Sequence, residues 1–380
     1  MAKTKKSEAD TEVQVIGESL EDRIKAIQQI AKKSKFNLIT GSQLESFRFL
    51  KVGIPPIDVL GGPCFGRFVV VYGASGSGKS TYIYRCIAAA QKEEPTKVAV
   101  LLDVEGRIDP TWMSIQGVDL EKLVIVQGEQ TLEDYCEAFR RIVQTGGVSI
   151  AVIDTVSAMT PKIMFQETLS EHNVMNRDHV AKDAIKIQQF IRLTKEDIFK
   201  NNVACVLVAQ VRTHGIGSYA THDGLSGGNM LKHMAIQIWC FRAMLGKADV
   251  ESERITIEGK PIDVIKGFKV KAILEKDTGP NTKKVAFLPF VVGVGYDEQE
   301  ALINAALTYE CIEKSSATKF RWTTVTGEIV EGKRTFIKDF FKSNKVETSR
   351  LSKLVTEKHY KQETNNDGPK EKEEEVGEQG

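Results

Sequence analysis

Several groups of residues in this chain have the types and spacing to handle a phosphate. Gly73-Ala74-Ser75-Gly76-Ser77-Gly78-Lys79-Ser80 fits G-x-x-x-x-G-K-S and is followed by Thr81. Glycines let a backbone turn so that successive N–H groups point inward, and the start of a helix adds partial positive charge. In such a loop Gly73, Ser75, Gly76, Ser77, Gly78 and Thr81 form the cradle. Lys79 reaches the β- and γ-phosphates, and the Ser80 hydroxyl faces Mg²⁺. Asp154 ends the apolar run SIAVID, where a carboxylate can hold the same Mg²⁺ through water. Alone it reads better as the N-cap of a following helix; beside the P-loop the magnesium role takes over. Asp103 and Glu105 lie in LLDVEGR, and either could orient or deprotonate an attacking water; spacing does not choose between them. Gln210 closes the run VACVLVAQ with an amide that needs a partner, and a γ-phosphate would be one.

These groups need a scaffold. The runs RFVVVYG (67–73), KVAVLLD (97–103), LVIVQG (123–128), SIAVID (149–154) and VACVLVAQ (203–210) are short, Val/Ile-rich and nearly continuous, as strands buried on both faces of a parallel sheet are. Helical patterns at 79–93, 131–144 and 179–199 separate them, which predicts a doubly wound α/β sheet. IQIWCF (236–241), DVIKGFKVKAILEK (263–276) and KKVAFLPF (283–290) follow with little helix between, as hairpin-connected strands that extend the sheet. The spacing predicts helices over 298–312 and 333–358, flanking a polar, turn-rich patch around Trp322. Leu20, Ile24, Ile27, Ile30 and Ala31 predict an amphipathic helix over 18–34, suited equally to its own core or to a neighbouring subunit. After Gln210 runs RTHGIGSYATHDGLSGGN, read as a long irregular segment that binds phosphates. Its Leu225-Ser226-Gly227-Gly228 is like the transporter-ATPase signature, but it follows Asp154 instead of preceding it, and chain order argues against that reading.

Composition bounds what remains. The 380 residues are 41% hydrophobic and 27% charged, enough for a sizeable core and against global disorder. Lys+Arg is 52 and Asp+Glu 51, which excludes a uniformly basic coat but leaves room for a local basic groove. Six scattered cysteines, with no C-x-x-C, read as buried thiols and not as a zinc site or disulfide framework. No apolar run reaches the length of a membrane span and the charged N-terminus lacks an apolar signal region, so a cytoplasmic protein is expected. The first seventeen residues and the acidic end, EKEEEVGEQG, are too polar to bury a core and are expected to be disordered.

In order and content these pieces resemble the RecA family of homologous-recombination ATPases, and within it the phage-type recombinases. The resemblance runs over roughly residues 50–340. It rests on GIPPIDVLGG…GRFVVVYGASGSGKST, LLDVEGRIDPTWMSIQGVDLEKLVIVQ, IAVIDTVSAMTPK, VAQVR…SGGNMLKH and FRWTTVTGEIVEGKRTFIKDFFK. It implies a RecA-like P-loop ATPase core with a mostly parallel, doubly wound sheet, an N-terminal helix and a small C-terminal α+β domain. The implied boundaries are 1–36, 37–295, 296–360 and 361–380, with the N-terminal helix docking on the adjacent protomer. It implies Glu105 as the carboxylate that activates water and Gln210 as the γ-phosphate sensor. Asp109 and Trp112 would contact and stack on adenine, Trp112 standing where the bacterial proteins have tyrosine. Lys276 would reach ATP from the neighbouring subunit; the partner lysine's position reads Leu274. Arg212, His214, Gly227, Gly228, Asn229 and Lys232 would face DNA, with His233 where the bacterial family has phenylalanine. A first DNA loop would span roughly Lys162–Arg177.

The implied activity is a DNA-dependent ATPase that forms helical filaments on single-stranded DNA and promotes pairing and strand exchange with duplex DNA. ATP and Mg²⁺ are the expected cofactors; a single-strand-binding protein and a loading mediator are the expected partners. The acidic tail would screen the DNA groove. Two other readings share the fold: a ring helicase, distinguished by closed hexamers, and a recombination mediator with weak ATPase activity, against which the set Lys79, Glu105, Asp154 and Gln210 speaks. A small-molecule kinase fits less well, since no second substrate pocket or lid is legible.

Overall fold

The computed structural model describes residues 19–33, 40–128, 130–160, 162, 178–214, 222–225, 229–257, 260–278 and 283–366. The chain divides into two compact units, Met1–Phe47 and Arg48–Gly380. In the first, α1 (Leu20–Lys33) starts at Ser19, whose hydroxyl accepts the Asp22 N–H at 3.2 Å and donates to the Asp22 carboxylate at 2.6 Å. Of the stripe seen in the sequence, Leu20 is 75% and Ile27 58% exposed, and Ile24 is half-buried.

The second unit opens with α2 (Pro55–Leu60), then β1 (Phe68–Gly73), α3 (Lys79–Glu93), β2 (Val98–Asp103), α4 (Pro110–Ile115), β3 (Leu123–Val126), α5 (Leu132–Gln144) and β4 (Val148–Asp154). It continues through α6 (Asp178–Lys200), β5 (Ala204–Ala209), β6 (Val211–His214), β7 (His222–Leu225), α7 (Asn229–Met234), β8 (Gln237–Met244), β9 (Val250–Ile257), β10 (Lys260–Lys276), β11 (Lys284–Val291) and β12 (Gly295–Tyr296). The sheet order is β12-β11-β10-β8-β1-β5-β4-β2-β3, with β9 paired to β10. From β8 to β3 all neighbours are parallel; β10, β11 and β12 join antiparallel.

Alternation along β1 explains its unbroken apolar run. Val69 and Val71 enter one core with Tyr82, Ile83 and Ile87 of α3. Phe68, Val70 and Tyr72 enter the opposite core with Tyr135 and Phe139 of α5 and Phe190 and Ile198 of α6. Helices cover both faces, so each strand residue needs an apolar side chain. The parallel strands β1, β2, β4 and β5 all end at one edge, and the phosphate-binding candidates sit at those ends.

A third core belongs to the C-terminal segment: α8 (Glu298–Thr308), β13 (Glu313–Lys314), β14 (Lys319–Thr323), β15 (Ile329–Lys333), α9 (Arg334–Ser343) and α10 (Lys345–Asn366). Leu302, Trp322, Ile337, Phe341 and Leu351 meet there, with Val59 of α2. Three details differ from the sequence expectation. The helix expected over 298–312 ends at Thr308, where Glu310 takes a left-handed φ of 53°, and the chain turns into β13. The patch around Trp322 is the middle strand of a three-stranded antiparallel sheet, with Trp322 4% exposed. The helix expected over 333–358 breaks at Asn344, whose side chain accepts the Glu347 N–H at 3.2 Å and starts a new helix.

The segment after Gln210 is also more regular than expected. β6 and β7 pair antiparallel, His214 opposite His222, and α7 follows. Residues 215–221 and 226–228 of that segment, the first seventeen residues, most of the expected first DNA loop and the acidic tail lie outside the described residues. Among the described residues no helix is long and apolar enough to cross a membrane.

Candidate active site

A cleft of about 960 Å³ opens at the strand ends, lined by the whole loop Gly73–Thr81 together with Asp103, Glu105, Trp112, Asp154 and Gln210. The loop is built for close approach. A Cβ on Gly73 would stand 2.2 Å from the Phe241 carbonyl oxygen, so β1 can turn there only without a side chain. Gly78 has φ +91°, and a Cβ would lie 2.6 Å from the Tyr296 hydroxyl, which donates to the Gly78 carbonyl at 3.0 Å. Lys79 donates to the carbonyls of Gly73 at 2.8 Å and Ala74 at 2.7 Å, folding its ammonium over the cradle. Burial lowers its pKa, and the Asp154 and Glu105 charges act against that. Ser77 is 1% exposed and its hydroxyl has no partner among the described residues. A buried unpaired hydroxyl inside a ring of backbone amides at a helix start suits an anion such as a nucleotide phosphate.

The two carboxylates that the sequence left as competitors occupy different environments. Asp103 is 4% exposed and fully engaged. Its Oδ1 accepts the Gly106 N–H at 2.9 Å and the Arg107 N–H at 3.4 Å, and its Oδ2 accepts from Gln127 Nε2 at 2.7 Å. It holds the turn that follows β2. Glu105 stands on that turn. Its Oε1 accepts from the Gln210 amide at 2.8 Å and the Thr155 hydroxyl at 3.0 Å; its Oε2 lies 3.3 Å from the Arg107 guanidinium. Glu105 therefore joins the ends of β2, β4 and β5 at one carboxyl group.

Asp154 closes the floor of the cleft. Burial and the nearby Glu105 charge push its carboxyl up to about 6, with Lys79 pulling the other way. A divalent cation would relieve this crowding, and Ser80, exposed and lining the same cleft, offers the hydroxyl such an ion needs. The residues present thus fit Mg²⁺. Trp112 is half-buried and donates from Nε1 to the Thr81 hydroxyl at 3.3 Å. Asp109 caps α4 through the Thr111 N–H at 2.9 Å. Phe268 and Phe290, stacked with centroids 4.9 Å apart, also line the cleft.

The remaining candidates are placed apart. Lys276 does not line its own cleft: its ammonium donates to the carbonyls of Lys232 at 2.7 Å, His233 at 3.1 Å and Ala235 at 2.7 Å, capping the end of α7. Lys232 is exposed on α7. Arg212 and His214 lie on β6 and Asn229 opens α7, with side chains outside the described residues; Gly227 and Gly228 are outside altogether. Sequence reasoning overlooked Arg107 and Thr155, each within two positions of a residue it did select, Tyr84 one helical turn past Thr81, and the Phe268/Phe290 wall, which comes from distant strands.

A family model described as the RecA N-terminal domain matches residues 19–274. The chain belongs to the RecA family. Protein RecA of Francisella tularensis subsp. tularensis (strain WY96-3418) is 29% identical over 329 residues, 84% of this chain and 84% of that protein. Protein RecA of Francisella philomiragia subsp. philomiragia is 28% identical over 344 residues, 89% of this chain and 88% of that protein. RecA-family proteins are DNA-dependent ATPases and ATP-dependent recombinases, and that is the family-level function of this chain. Membership of the family implies nucleotide binding.

Proposed function

We propose that this RecA-family protein assembles as a helical filament on single-stranded DNA and pairs it with homologous duplex, using ATP bound in the cleft at the strand ends. The observation that carries the reading is the Gln210–Glu105 hydrogen bond at 2.8 Å. It links the carboxylate beside the phosphate cradle to the residue that leads directly into β6, and so makes a strand toward the candidate DNA segment sensitive to what occupies the cleft.

In this reading the loop amides and Lys79 hold the β- and γ-phosphates, and Trp112 covers the base, with Asp109 fixing its helix. Ser80 and Asp154 would hold Mg²⁺, the latter through water, and the ion would supply neutralisation of phosphate charge. Glu105 accepts a proton from the attacking water as the bond between the γ-phosphorus and the bridging oxygen breaks, giving ADP and phosphate. Gln210 turns between Glu105 and the γ-phosphate and passes that difference to Arg212, His214, Gly227, Gly228, Asn229 and Lys232, which grip DNA mainly through its phosphates. Lys276 is released from α7 to complete a neighbour's cleft. A single-strand-binding protein and a loading mediator are the expected assistants, in the cytoplasm of a bacterium or a phage-infected host. Phosphate release measured with and without single-stranded DNA, followed by a joint-molecule assay, tests the reading. DNA should raise turnover and joint molecules should form. Equal turnover in a folded protein would contradict it.

A further inference from the structure

Among the described residues two cations line the cleft, Lys79 and Arg107, against three carboxylates, Asp103, Glu105 and Asp154. Lys79 has a settled place on the loop. Arg107 does not. Its backbone is fixed by Asp103, while its side chain is 81% exposed and meets Glu105 Oε2 at 3.3 Å as its partner among the described residues. An ion pair with one head so exposed is weak and easily exchanged. A planar, permanently charged guanidinium suits phosphate oxygens as well as carboxylate ones.

The division of contacts on Glu105 is informative. Gln210 and Thr155 both donate to Oε1. That leaves Oε2 as the oxygen for an attacking water, and Arg107 covers it. We infer that Arg107 is a substrate-gated arginine: it masks the water-binding oxygen of Glu105 until nucleotide binds, then transfers to the γ-phosphoryl oxygens. The transfer would do two things at once. It uncovers the base, and it brings positive charge to the phosphoryl group within the same protomer. No further reactant enters: water adds to phosphorus, its proton goes to Glu105, and the electron pair of the broken bond leaves on ADP. This rests on the nucleotide role of the cleft proposed above and adds a residue to it.

The test separates ground-state from transition-state binding, without DNA and without turnover. ADP and ADP with aluminium fluoride are titrated by calorimetry into the wild-type protein and into Arg107→Ala and Arg107→Lys, each with a thermal melt in the absence of nucleotide. For Arg107→Ala the melt and the ADP affinity should stay near wild type, within about threefold. The extra affinity for the aluminium fluoride complex should fall by roughly 100- to 1000-fold, the size usual for loss of a donor aimed at developing charge. Arg107→Lys should recover part of it. An unchanged ratio in Arg107→Ala would overturn the inference. So would an equal loss for both ligands together with a lower melt, which would mark a structural role. Failure of the recombinase reading shows elsewhere, as turnover that DNA does not stimulate, and leaves this ratio readable.

Discussion

Asp103 and Glu105 look alike in sequence, and the structure assigns them opposite consequences on substitution. Asp103→Asn keeps an oxygen for the Gly106 N–H, now 2.9 Å from Oδ1. Its new amide would face Gln127, now donating at 2.7 Å, and the Gln127 amide can turn over to accept. Three charge-assisted hydrogen bonds become neutral ones, a loss of about 1–3 kcal/mol in stability. Glu105 is still held by Thr155 and Gln210, so turnover should fall less than about tenfold. Glu105→Gln removes the proton acceptor, and turnover should fall roughly 10²- to 10⁴-fold. Its stability should hold within about 0.5 kcal/mol or rise slightly, because a negative charge next to the buried Asp154 is gone. The assay pairs phosphate release at saturating ATP and single-stranded DNA with urea unfolding. Asp103→Asn should lose stability and keep turnover; Glu105→Gln should do the reverse. The opposite pattern would show that Asp103 handles the water and would refute the division drawn from their hydrogen bonds.

Other consequences are structural. Asp58 accepts the Val52 and Gly53 N–H groups, and burial raises its carboxyl from 3.8 to about 6. The folded state therefore holds this proton more tightly, so stability falls as pH rises through the window between those values. About 1–2 kcal/mol from Asp58 should be lost between pH 5 and 7.5, and Asp58→Asn should remove that share of the slope from urea unfolding, leaving the share of Asp154, which is also raised to about 6. Identical slopes in the two proteins would contradict the assignment. In the C-terminal core, Glu347 accepts Trp322 Nε1 and the Val325 N–H, both at 2.8 Å. Glu347→Ala leaves those donors unpaired and should cost about 2–4 kcal/mol, with an early loss of tryptophan fluorescence on heating; a change below about 0.5 kcal/mol would show that the pair is not holding that core.

How much the sequence disclosed follows from where each signal lies. β1, β2, β4 and β5 were legible because both of their faces are buried, which leaves continuous Val/Ile runs. The P-loop, Asp154, Glu105 and Gln210 were legible as candidates because each follows such a run directly, and the structure brings all of them to one cleft. The choice between Asp103 and Glu105 was not legible from spacing, since it depends on Gln127, Thr155 and Gln210, which meet only in the fold. β9 escaped notice because VESERITI carries charges on both faces of an exposed arm. The C-terminal sheet was hidden by the brevity of its strands, and the break at Asn344 by helical periodicity that continues on either side of it. Phe268 and Phe290, which line the cleft, and Tyr296, which holds Gly78, come from the antiparallel extension, far from any nucleotide motif in the chain, and nothing local marks them.

The central claim is that the cleft and the DNA-facing segment are coupled through Gln210. The direct measurement is the affinity for single-stranded DNA with a slowly hydrolysed ATP analogue and with ADP, in the wild-type protein and in Gln210→Ala. The wild-type protein should bind DNA at least about tenfold more tightly with the analogue, a coupling of roughly 1.4 kcal/mol. Gln210→Ala should bind both nucleotides normally and show the same weak DNA affinity with each. A Gln210→Ala protein that keeps the full tenfold difference would contradict the account.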